Sequence, residues 1–287
     1  MPKEERIKYF FLLPAVVLIL SFLIFPLVYS LYLSITDWQI GKAPEITGFS
    51  NYLKAITDKR VHNALSFTLL FMIFTISIET PFALGVAILS QSRFLGNTIF
   101  RIIFTAPFFT SPIALSYLSI TIFYEEGGPL NNILKLLFNI KVPWISNPNY
   151  AFLSLCLIDI WQWTPFLYII FLAGLESLPR EPYEAATIDG ASGFQAFRYV
   201  TIPLLMPVII TGVLLKMIES LKVFDIIYAL TGGGPGIATE SYTMYIYKTG
   251  FRFFRLGYAA ALSYILLIML MILFTFLAFR LRRVYYE

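Results

Sequence analysis

The sequence predicts an all-α integral membrane protein with six transmembrane helices. Of its 287 residues, 58% are hydrophobic and only 13% are charged, and the mean hydropathy is +0.76. Soluble domains carry about 25% charged residues. Several stretches with few or no charges exceed the roughly 20 apolar residues that a helix needs to cross the hydrocarbon layer. None of these stretches alternates with a period of two, so the strands of a transmembrane β-barrel are not expected.

The predicted spans differ in the number of charged residues that they contain. The first, third and last contain none, the second contains one glutamate, the fourth contains one aspartate, and the fifth contains several charges. The first apolar run is longer than the hydrophobic region of a signal peptide, and no small-residue cleavage site follows it, so we expect it to be retained. The six spans are 10–35, 64–90, 102–124, 150–175, 204–230 and 256–279.

Basic residues beside the first and last spans predict the orientation, because cytoplasmic flanks are enriched in Lys and Arg. We expect a multi-pass protein of the cell membrane with both termini in the cytoplasm. The predicted organisation is an N-terminal tail, first span and outer loop at 1–63, a five-helix core at 64–281, and a cytoplasmic tail at 282–287. The turn-rich outer loops either connect spans or form a docking surface for an external partner. The flanking basic residues are Lys3, Arg6, Lys8, Arg280, Arg282 and Arg283.

The composition excludes several classes of catalytic or metal-binding site. Cys156 is the single cysteine and His62 the single histidine, so neither an intrachain disulfide nor a Cys/His metal cluster can form. No Gly-x-x-x-x-Gly-Lys-Ser/Thr loop is present, and GGGPG at 232–236 lacks the lysine that holds phosphate. The net charge of +4 is ordinary for a membrane protein and indicates no nucleic acid partner. We expect no catalytic residue, bound metal or cofactor in this chain.

A polar segment, PYEAATIDGAS at 182–192, interrupts the apolar sequence between the fourth and fifth spans. Pro182 suits the first turn of a helix, and Glu184 lies where the helix dipole favours an acid. The helix is expected to stop at Gly190, and Ser192 with Gln195 fits a capping box that starts a second helix. From the residues alone, this helix–glycine–helix pattern is either a hairpin that links two spans or a contact surface for a partner.

The same segment carries a family resemblance. EAATIDGAS at 184–192, followed by FRYVTIPLLMP at 197–207, resembles the cytoplasmic EAA loop of permease subunits of ATP-binding-cassette (ABC) importers. The resemblance is to the carbohydrate-uptake type, which includes maltose and glycerol-3-phosphate permeases. Further motifs of that family follow in order: FPLVYSLYLSITDW at 25–38, GFSNY at 48–52, LAGLESLP at 172–179, FDIIYALTGGGP at 224–235 and YIYKTGF at 245–251.

The resemblance implies a cytoplasmic coupling loop at 176–203, between the fourth and fifth membrane helices, that docks in a cleft of an ATPase subunit. Glu184 would face a basic residue of that subunit, and Gly190 would permit the turn. The resemblance also implies partners: a second homologous permease, two ATPase subunits that hold ATP and Mg, and an extracytoplasmic sugar-binding protein that delivers the sugar. The residues assigned to ATPase coupling are Glu184, Ala185, Ala186, Asp189, Gly190 and Ala191.

Polar and aromatic residues share one face of the fourth span and are candidates for a sugar pathway. Asp159, Gln162, Trp163 and Phe166 have the helical spacing i, i+3, i+4, i+7. A sugar site combines hydroxyl-binding groups with flat apolar rings. The alternative is that Asp159 caps or pairs with a neighbouring helix and that the rings are ordinary packing. Trp161 points away from this face and is not assigned to the pathway.

The third and fifth spans contribute weaker candidates for the same pathway. Glu219 and Ser220 share a helical face with Lys216. They either line the cavity or, for Glu219, form an ion pair with Lys216 or Lys222. Phe108 follows a proline in the third span and is a further lining candidate.

Two other protein classes fit parts of the pattern. An ion-coupled secondary transporter would need no ATPase but should show inverted repeats, and no clear repeat relates 1–140 to 141–287. An intramembrane enzyme would need paired catalytic groups, and the deep acids Glu79, Asp159 and Glu219 have no accompanying histidine or metal set. Whether Glu79 lines the pathway or is structural stays open. Within the family resemblance, a sugar and a glycerol phosphate or other polyol are alternative substrates.

Overall fold

The computed structural model describes residues 3–91 and 95–286, and the regular structure in this part of the chain is helical. An isolated antiparallel bridge between Thr36 and Ile46 is the one extended pairing among these residues. The all-α prediction is therefore confirmed. Side chains are described for 11–91, 95–275 and 279. The basic side chains that predict the orientation, Lys3, Arg6, Lys8, Arg280, Arg282 and Arg283, lie outside these ranges, as does residue 287 of the predicted tail.

We number the helices of the described residues α1 to α14 in chain order. Short π-helical turns at Leu20–Ile24, Phe197–Thr201 and Lys248–Arg252, and a 3₁₀ turn at Ala106–Phe109, join some of them. The helices are α1 Lys3–Ile19, α2 Phe25–Ser34, α3 Ser50–Thr57, α4 Lys59–Gln91, α5 Asn97–Thr105, α6 Pro112–Ile122, α7 Pro129–Phe138, α8 Pro148–Glu176, α9 Glu181–Ile188, α10 Gly193–Ala196, α11 Ile202–Leu221, α12 Asp225–Leu230, α13 Tyr242–Tyr247 and α14 Leu256–Tyr286.

Five stretches of the described residues are long and apolar enough to cross a membrane. A sixth is a bent pair, Asn97–Phe109 with Pro112–Ile122, whose two halves meet at 96°. The predicted third span at 102–124 is therefore a broken helix, and the number of spans is five or six. The five continuous stretches are Phe11–Ser34, Lys59–Gln91, Pro148–Glu176, Gly193–Leu230 and Leu256–Thr275.

Proline chemistry accounts for the bend in the third span. Pro107 lies in the 3₁₀ turn and Pro112 is the first residue of α6. Proline lacks the backbone N–H that continues a helical ladder, and it disfavours helical geometry at the residue before it. Thr110 and Ser111 are accordingly extended, with ψ values of 134° and 127°.

The structure divides into two compact units, and the first comprises the chain up to Val61 together with Tyr245–Met269. Within this unit, the Asn51 side-chain amide donates hydrogen bonds to the carbonyls of Ser34 and Thr36, at 3.0 and 2.8 Å. The Gly257 backbone N–H donates to the Trp38 carbonyl at 3.1 Å. These bonds hold the end of α2 against α3 and the start of α14.

We expect Gly257→Ala to destabilise the protein. A Cβ atom at Gly257 would overlap the carbonyl oxygen of Thr36, a backbone atom that cannot move aside as a side chain can. Overpacking of this kind typically costs about 1–3 kcal/mol. The matched control is Gly85→Ala, because a Cβ at Gly85 in α4 meets no atom within 4 Å. Thermal unfolding of the detergent-solubilised protein measures both, and equal unfolding temperatures would contradict the expectation.

Asp58, between α3 and α4, accepts several hydrogen bonds within the first unit. Its carboxylate accepts hydrogen bonds from the hydroxyls of Tyr245 and Tyr258, at 2.7 and 2.8 Å. Partial burial raises the pKa of Asp58, but these bonds and those from the backbone N–H groups of Arg60 and Val61 outweigh burial and hold the pKa below its usual value. Burial and the hydrogen bond to Asp58 raise the pKa of Tyr245 to about 12.

The lowered pKa of Asp58 predicts a pH-dependent contribution to stability. The contribution is fully present above the unfolded-state pKa of about 3.9 and is lost as the pH falls through the lower folded-state pKa. We therefore expect Asp58→Asn to cost about 1–3 kcal/mol at neutral pH and progressively less in strong acid. Thermal unfolding at pH 7 and pH 3 measures this change. Asp37→Asn, at an exposed position, is the control, and an Asp58→Asn deficit that does not shrink in acid would refute the expectation.

The second unit, His62–Met244 with the chain from Leu270 onward, is built around α8. The Asn147 side chain starts α8 by accepting hydrogen bonds from the N–H groups of Asn149 and Tyr150. In its most apolar stretch, 61% of the residues of α8 are buried. Gly174 of α8 and Gly212 of α11 face side chains across the contact, where added Cβ atoms would lie 2.8 Å from Leu205 and 3.0 Å from Phe171. The two glycines therefore permit the close approach of α8 and α11.

Candidate functional site

The polar segment at 182–192 folds as the sequence predicts. Helix α9 carries Pro182 in its first turn and Glu181 and Glu184 near its N-terminus. Gly190 follows with a φ of +73°, a conformation that glycine adopts at little cost. The Ser192 hydroxyl accepts a hydrogen bond from the Gln195 N–H at 3.3 Å, and the Gln195 side chain accepts one from the Ser192 N–H at 2.7 Å. The predicted helix, glycine break and capping box are confirmed.

The second helix of this segment continues directly into the fifth span. Helix α10, the π turn at Phe197–Thr201 and α11 follow each other without a break. The predicted fifth span at 204–230 therefore begins earlier, at Gly193. The Tyr183 hydroxyl of α9 donates a hydrogen bond to the Thr201 hydroxyl at 3.0 Å. This bond ties the short helix to the base of the long one.

The predicted coupling residues lie largely at the surface. Glu184, Ala185, Asp189 and Gly190 are exposed, whereas Ala186 and Ala191 are half-buried. Two large apolar side chains flank the glycine turn and were not assigned from the sequence: Ile188 is 85% exposed and Phe194 is 74% exposed. Their position on either side of a glycine in a polar segment is the signal that could have identified them. The segment thus presents acids, small residues and two apolar side chains together.

Three ionisable side chains from different helices meet in the interior of the second unit. The Lys216 Nζ of α11 lies 2.7 Å from the Asp159 Oδ2 of α8 and 3.3 Å from the Glu79 Oε1 of α4. The three side chains are at most 3% exposed. Asp159 therefore pairs with a neighbouring helix, which is one of the alternatives that the sequence left open. The sequence did not indicate this partner, because it is 57 residues away.

The buried charges leave some polar atoms unpaired within the described residues. Glu79 Oε1 is close enough to Lys216 for charge attraction, yet neither Glu79 oxygen makes a hydrogen bond of good geometry. The Ser220 hydroxyl, one turn after Lys216, is also buried without a partner. Buried polar atoms of this kind are costly. The cluster of Glu79, Asp159 and Lys216, which we call the buried triad, therefore depends on its lysine.

Aromatic rings next to the buried triad form a compact group. The Lys216 Nζ lies 4.9 Å from the centre of the Trp163 ring. Ring centres are 5.7 Å apart for Phe108 and Trp163, 5.8 Å for Trp163 and Phe166, and 5.5 Å for Phe108 and Phe166. The structure thus brings these three candidates together, although they come from two spans, and each is half-buried.

The remaining pathway candidates have other partners. Gln162 is buried, and its side-chain amide donates a hydrogen bond to the Thr110 carbonyl at 3.0 Å, at the bend of the third span. Glu219 pairs with Lys222 at 2.7 Å in a partly exposed ion pair. Of the two lysines that the sequence offered as partners for Glu219, the structure therefore has Lys222.

Trp161, which the sequence excluded from the pathway, borders an apolar groove. Its side chain is 53% exposed. The groove has a volume of about 500 Å³, and its walls include Phe82, Phe104, Pro107 and Pro165. Hydrophobic periodicity could not indicate this groove, because apolar residues occur on every side of α8, including the side that carries Asp159 and Gln162. Among the described residues, no group of three or more His, Cys, Asp or Glu side chains is arranged to hold a metal.

Several apolar spans, charges enclosed between them and an exposed helix–glycine–helix segment are typical of a multi-pass membrane transport subunit. The family described as the binding-protein-dependent transport system inner membrane component matches residues 79–285. The chain belongs to this family and is a multi-pass membrane protein of the sugar ABC importer permease type.

Two relatives show how far the similarity extends. The trehalose/maltose transport system permease protein MalF of Thermococcus litoralis is 35% identical over 257 residues, which cover 89% of this chain and 85% of MalF. The lactose transport system permease protein LacF of Rhizobium radiobacter is 32% identical over 274 residues, covering 94% of this chain and 91% of LacF. The family assignment therefore applies to nearly the whole chain.

A solved structure has the same fold. It is a bacterial alginate ABC transporter in complex with an alginate pentasaccharide-bound periplasmic protein, and one of its chains superposes with a TM-score of 0.86. The match covers 99% of this chain and 97% of that chain, at 21% identity. At this identity, the likeness shows the fold alone.

Proposed function

We propose that this chain is a permease subunit of an ATP-driven importer, and that it forms a sugar pathway across the membrane together with a second permease. An external binding protein delivers the sugar, and a cytoplasmic ATPase is coupled through the segment at 176–203. The observation that carries the proposal is the surface around Gly190, where Ile188 and Phe194 are exposed beside the acids of α9. In a hairpin that only links two spans, these two apolar side chains would stay exposed to water and add no stability. In a complex, an apolar cleft of a partner would bury them.

The coupling surface combines three kinds of contact. Glu184 supplies a charge for a basic residue of the ATPase, and Asp189 adds a second carboxylate at the turn. Ala185, Ala186 and Ala191 allow the partner's backbone to approach closely. ATP and Mg are held by the two ATPase subunits, so this chain transmits a conformational change and performs no chemistry.

The second permease is the proposed neighbour of the first span. In the most apolar part of Phe11–Ser34, none of the residues is buried within this chain, whereas 28–61% are buried in the most apolar parts of the other four continuous stretches. Lipid covers part of such a surface, and a homologous subunit would cover the rest. We place both termini in the cytoplasm, which puts the segment around Gly190 on the same side as the ATPase.

The proposed sugar pathway uses the aromatic surface between the third and fourth spans. Phe108, Trp163 and Phe166 offer flat rings to the C–H faces of a sugar, and Trp161 adds an exposed indole in the neighbouring groove. Asp159 is neutralised by Lys216, and Glu219 is paired with Lys222. We therefore favour an uncharged sugar over glycerol phosphate, since both lysines are already engaged by carboxylates.

Removing an aromatic ring from the pathway should weaken transport without loss of the protein. We expect Trp161→Ala and Trp163→Ala to raise the KM for uptake of the cognate sugar by about two- to thirteenfold, because an aromatic ring contact is worth about 0.5–1.5 kcal/mol. Phe274→Ala removes an exposed ring from α14 and is the control. Uptake kinetics in membrane vesicles provide the measurement, and unchanged KM values for both tryptophan variants would exclude this surface.

The assembly is tested by purification in mild detergent from native membranes. We expect an ABC ATPase, a second permease of the same family and, with sugar present, an external binding protein to co-purify with the tagged chain. Recovery of the chain alone, under conditions in which known complexes of this type survive, would contradict the proposal.

A further inference from the structure

Helix α7, in the connection between α6 and α8, has an apolar face that no other part of the described chain covers. Ile133, Leu136 and Leu137 are 53%, 85% and 64% exposed, and their spacing of i, i+3, i+4 puts them on one side of the helix. Asn132 and Lys135 lie on the adjacent exposed side, and Asn131 is buried. The helix is therefore amphipathic, with its apolar side turned outward rather than toward the protein.

Hydrogen bonds fix the rotation of α7 about its axis. The Asn131 side-chain amide donates to the carbonyls of Glu125 and Val142, at 3.1 and 2.9 Å. Its oxygen accepts from the Val142 N–H at 3.1 Å and from the Trp144 indole N–H at 2.9 Å. Turning the apolar face inward would break all four bonds, so the exposed face is a fixed feature of the fold.

A second set of bonds closes the same connection. The Glu125 carboxylate accepts hydrogen bonds from the N–H groups of Ile145 and Ser146, each at 2.7 Å, and from the Ser146 hydroxyl at 2.9 Å. Partial burial raises the pKa of Glu125, but these bonds outweigh it and hold the pKa below its usual value. The connection between α6 and α8 is thus held in a defined conformation by the hydrogen bonds of Glu125 and Asn131, and we call it the platform.

The position of α7 identifies what covers its apolar face. A helix of 10 residues is about 15 Å long and cannot cross a hydrocarbon layer of about 30 Å. It follows the apolar helix α6, in which Tyr117 and Leu118 are also exposed (58% and 56%). Lys135 provides positive charge for anionic headgroups, whereas Lys141, just beyond the helix, is paired with Glu126 at 2.6 Å.

We propose that α7 is an interfacial helix, with Ile133, Leu136 and Leu137 inserted at the boundary between the headgroups and acyl chains of the bilayer. Amphipathic helices with basic polar sides adopt this position in membrane surfaces. The platform built by Glu125 and Asn131 would then anchor the connection between α6 and α8 in the membrane surface.

The test uses nitroxide spin labels in the full-length protein, reconstituted in vesicles of phosphatidylcholine and phosphatidylglycerol. Cys156 is replaced by Ala, and single cysteines are introduced as I133C, L136C and L137C on the apolar side and as N132C and K135C on the polar side. Electron paramagnetic resonance measures the collision of each label with oxygen, which is enriched in lipid, and with a water-soluble nickel complex. The polar-side labels are matched controls on the same helix.

We expect the three apolar-side labels to collide at least several-fold more with oxygen than with nickel, relative to the polar-side labels. Equal access of all five labels to nickel would overturn the proposal, because the face would then lie in water. Shielding of the apolar-side labels from both reagents would also overturn it, because the face would then be covered by protein, whether a second permease or a binding protein. The three apolar positions report independently, so one variant that fails to insert does not remove the test.

Discussion

Lys216→Met is expected to lower the stability of the protein by about 3–5 kcal/mol, the usual cost of removing one partner of a buried ion pair. Methionine keeps the length of the side chain but leaves the carboxylates of Glu79 and Asp159 facing each other without a cation. Those carboxylates are 0% and 3% exposed, so water does not replace the lysine. The unfolding temperature of the detergent-solubilised protein, followed by size-exclusion chromatography after heating, is the measurement.

Two controls separate charge from packing in this experiment. Lys222→Met removes the lysine of the partly exposed pair with Glu219 and should cost less than about 1 kcal/mol. The triple variant Glu79→Gln, Asp159→Asn, Lys216→Met removes every charge of the buried triad and should recover much of the loss, because no unpaired charge remains. The explanation would be contradicted if Lys216→Met lost no more stability than Lys222→Met. It would also be contradicted if the triple variant were no more stable than Lys216→Met.

Gly190→Val and Glu184→Lys are expected to abolish ATP-driven uptake while the protein remains inserted and folded. A Cβ at Gly190 meets no atom within 4 Å, so the effect of valine comes from the φ of +73°, which a β-branched residue adopts only with strain. Relief of this strain would change the angle between α9 and α10. Glu184→Lys reverses the charge at an exposed position of α9 and would repel a basic residue of the ATPase. Co-purification of the ATPase and sugar uptake in vesicles measure the two consequences.

The chain offers a matched control for each of these variants. Gly41 has a φ of +93° and equally open surroundings, but lies in a different loop, so Gly41→Val imposes similar strain elsewhere. Glu126→Lys reverses the charge of an exposed acid in the connection before α7. We expect both controls to retain ATPase binding and uptake. Equal losses in controls and coupling variants, or no loss in the coupling variants, would remove this segment from the coupling mechanism.

Local chemistry made part of the fold predictable from the sequence. The turn at Gly190 and the Ser192–Gln195 capping box depend on residues within a few positions of each other, and the structure has both. The direction of the third span was not predictable. Pro107 and Pro112 indicate a break, but the angle of 96° between the halves depends on distant packing, including the bond from Gln162 to Thr110.

The candidate site was less predictable because its contacts are long-range. Asp159 and Lys216 are each recognisable as costly intramembrane charges, but their pairing follows from the packing of α8 on α11 through Gly174 and Gly212. Short-range spacing instead suggested partners for Lys216 within its own helix. Trp161 shows the same limit, since apolar residues on every side of α8 do not indicate which ring remains accessible.

The helix from Gly193 to Leu221 is uninterrupted and connects the end near α9 to the buried triad. Thr201, bonded to Tyr183 of α9, and Lys216, at the buried triad, are fifteen residues apart on it, a distance of about 22 Å along the axis. A tilt of about 10° at the base would move the far end by about 4 Å, more than the length of either ion-pair contact. A small rotation imposed on α9 would thereby become a larger displacement at the buried triad, which its ion-pair contacts would have to accommodate.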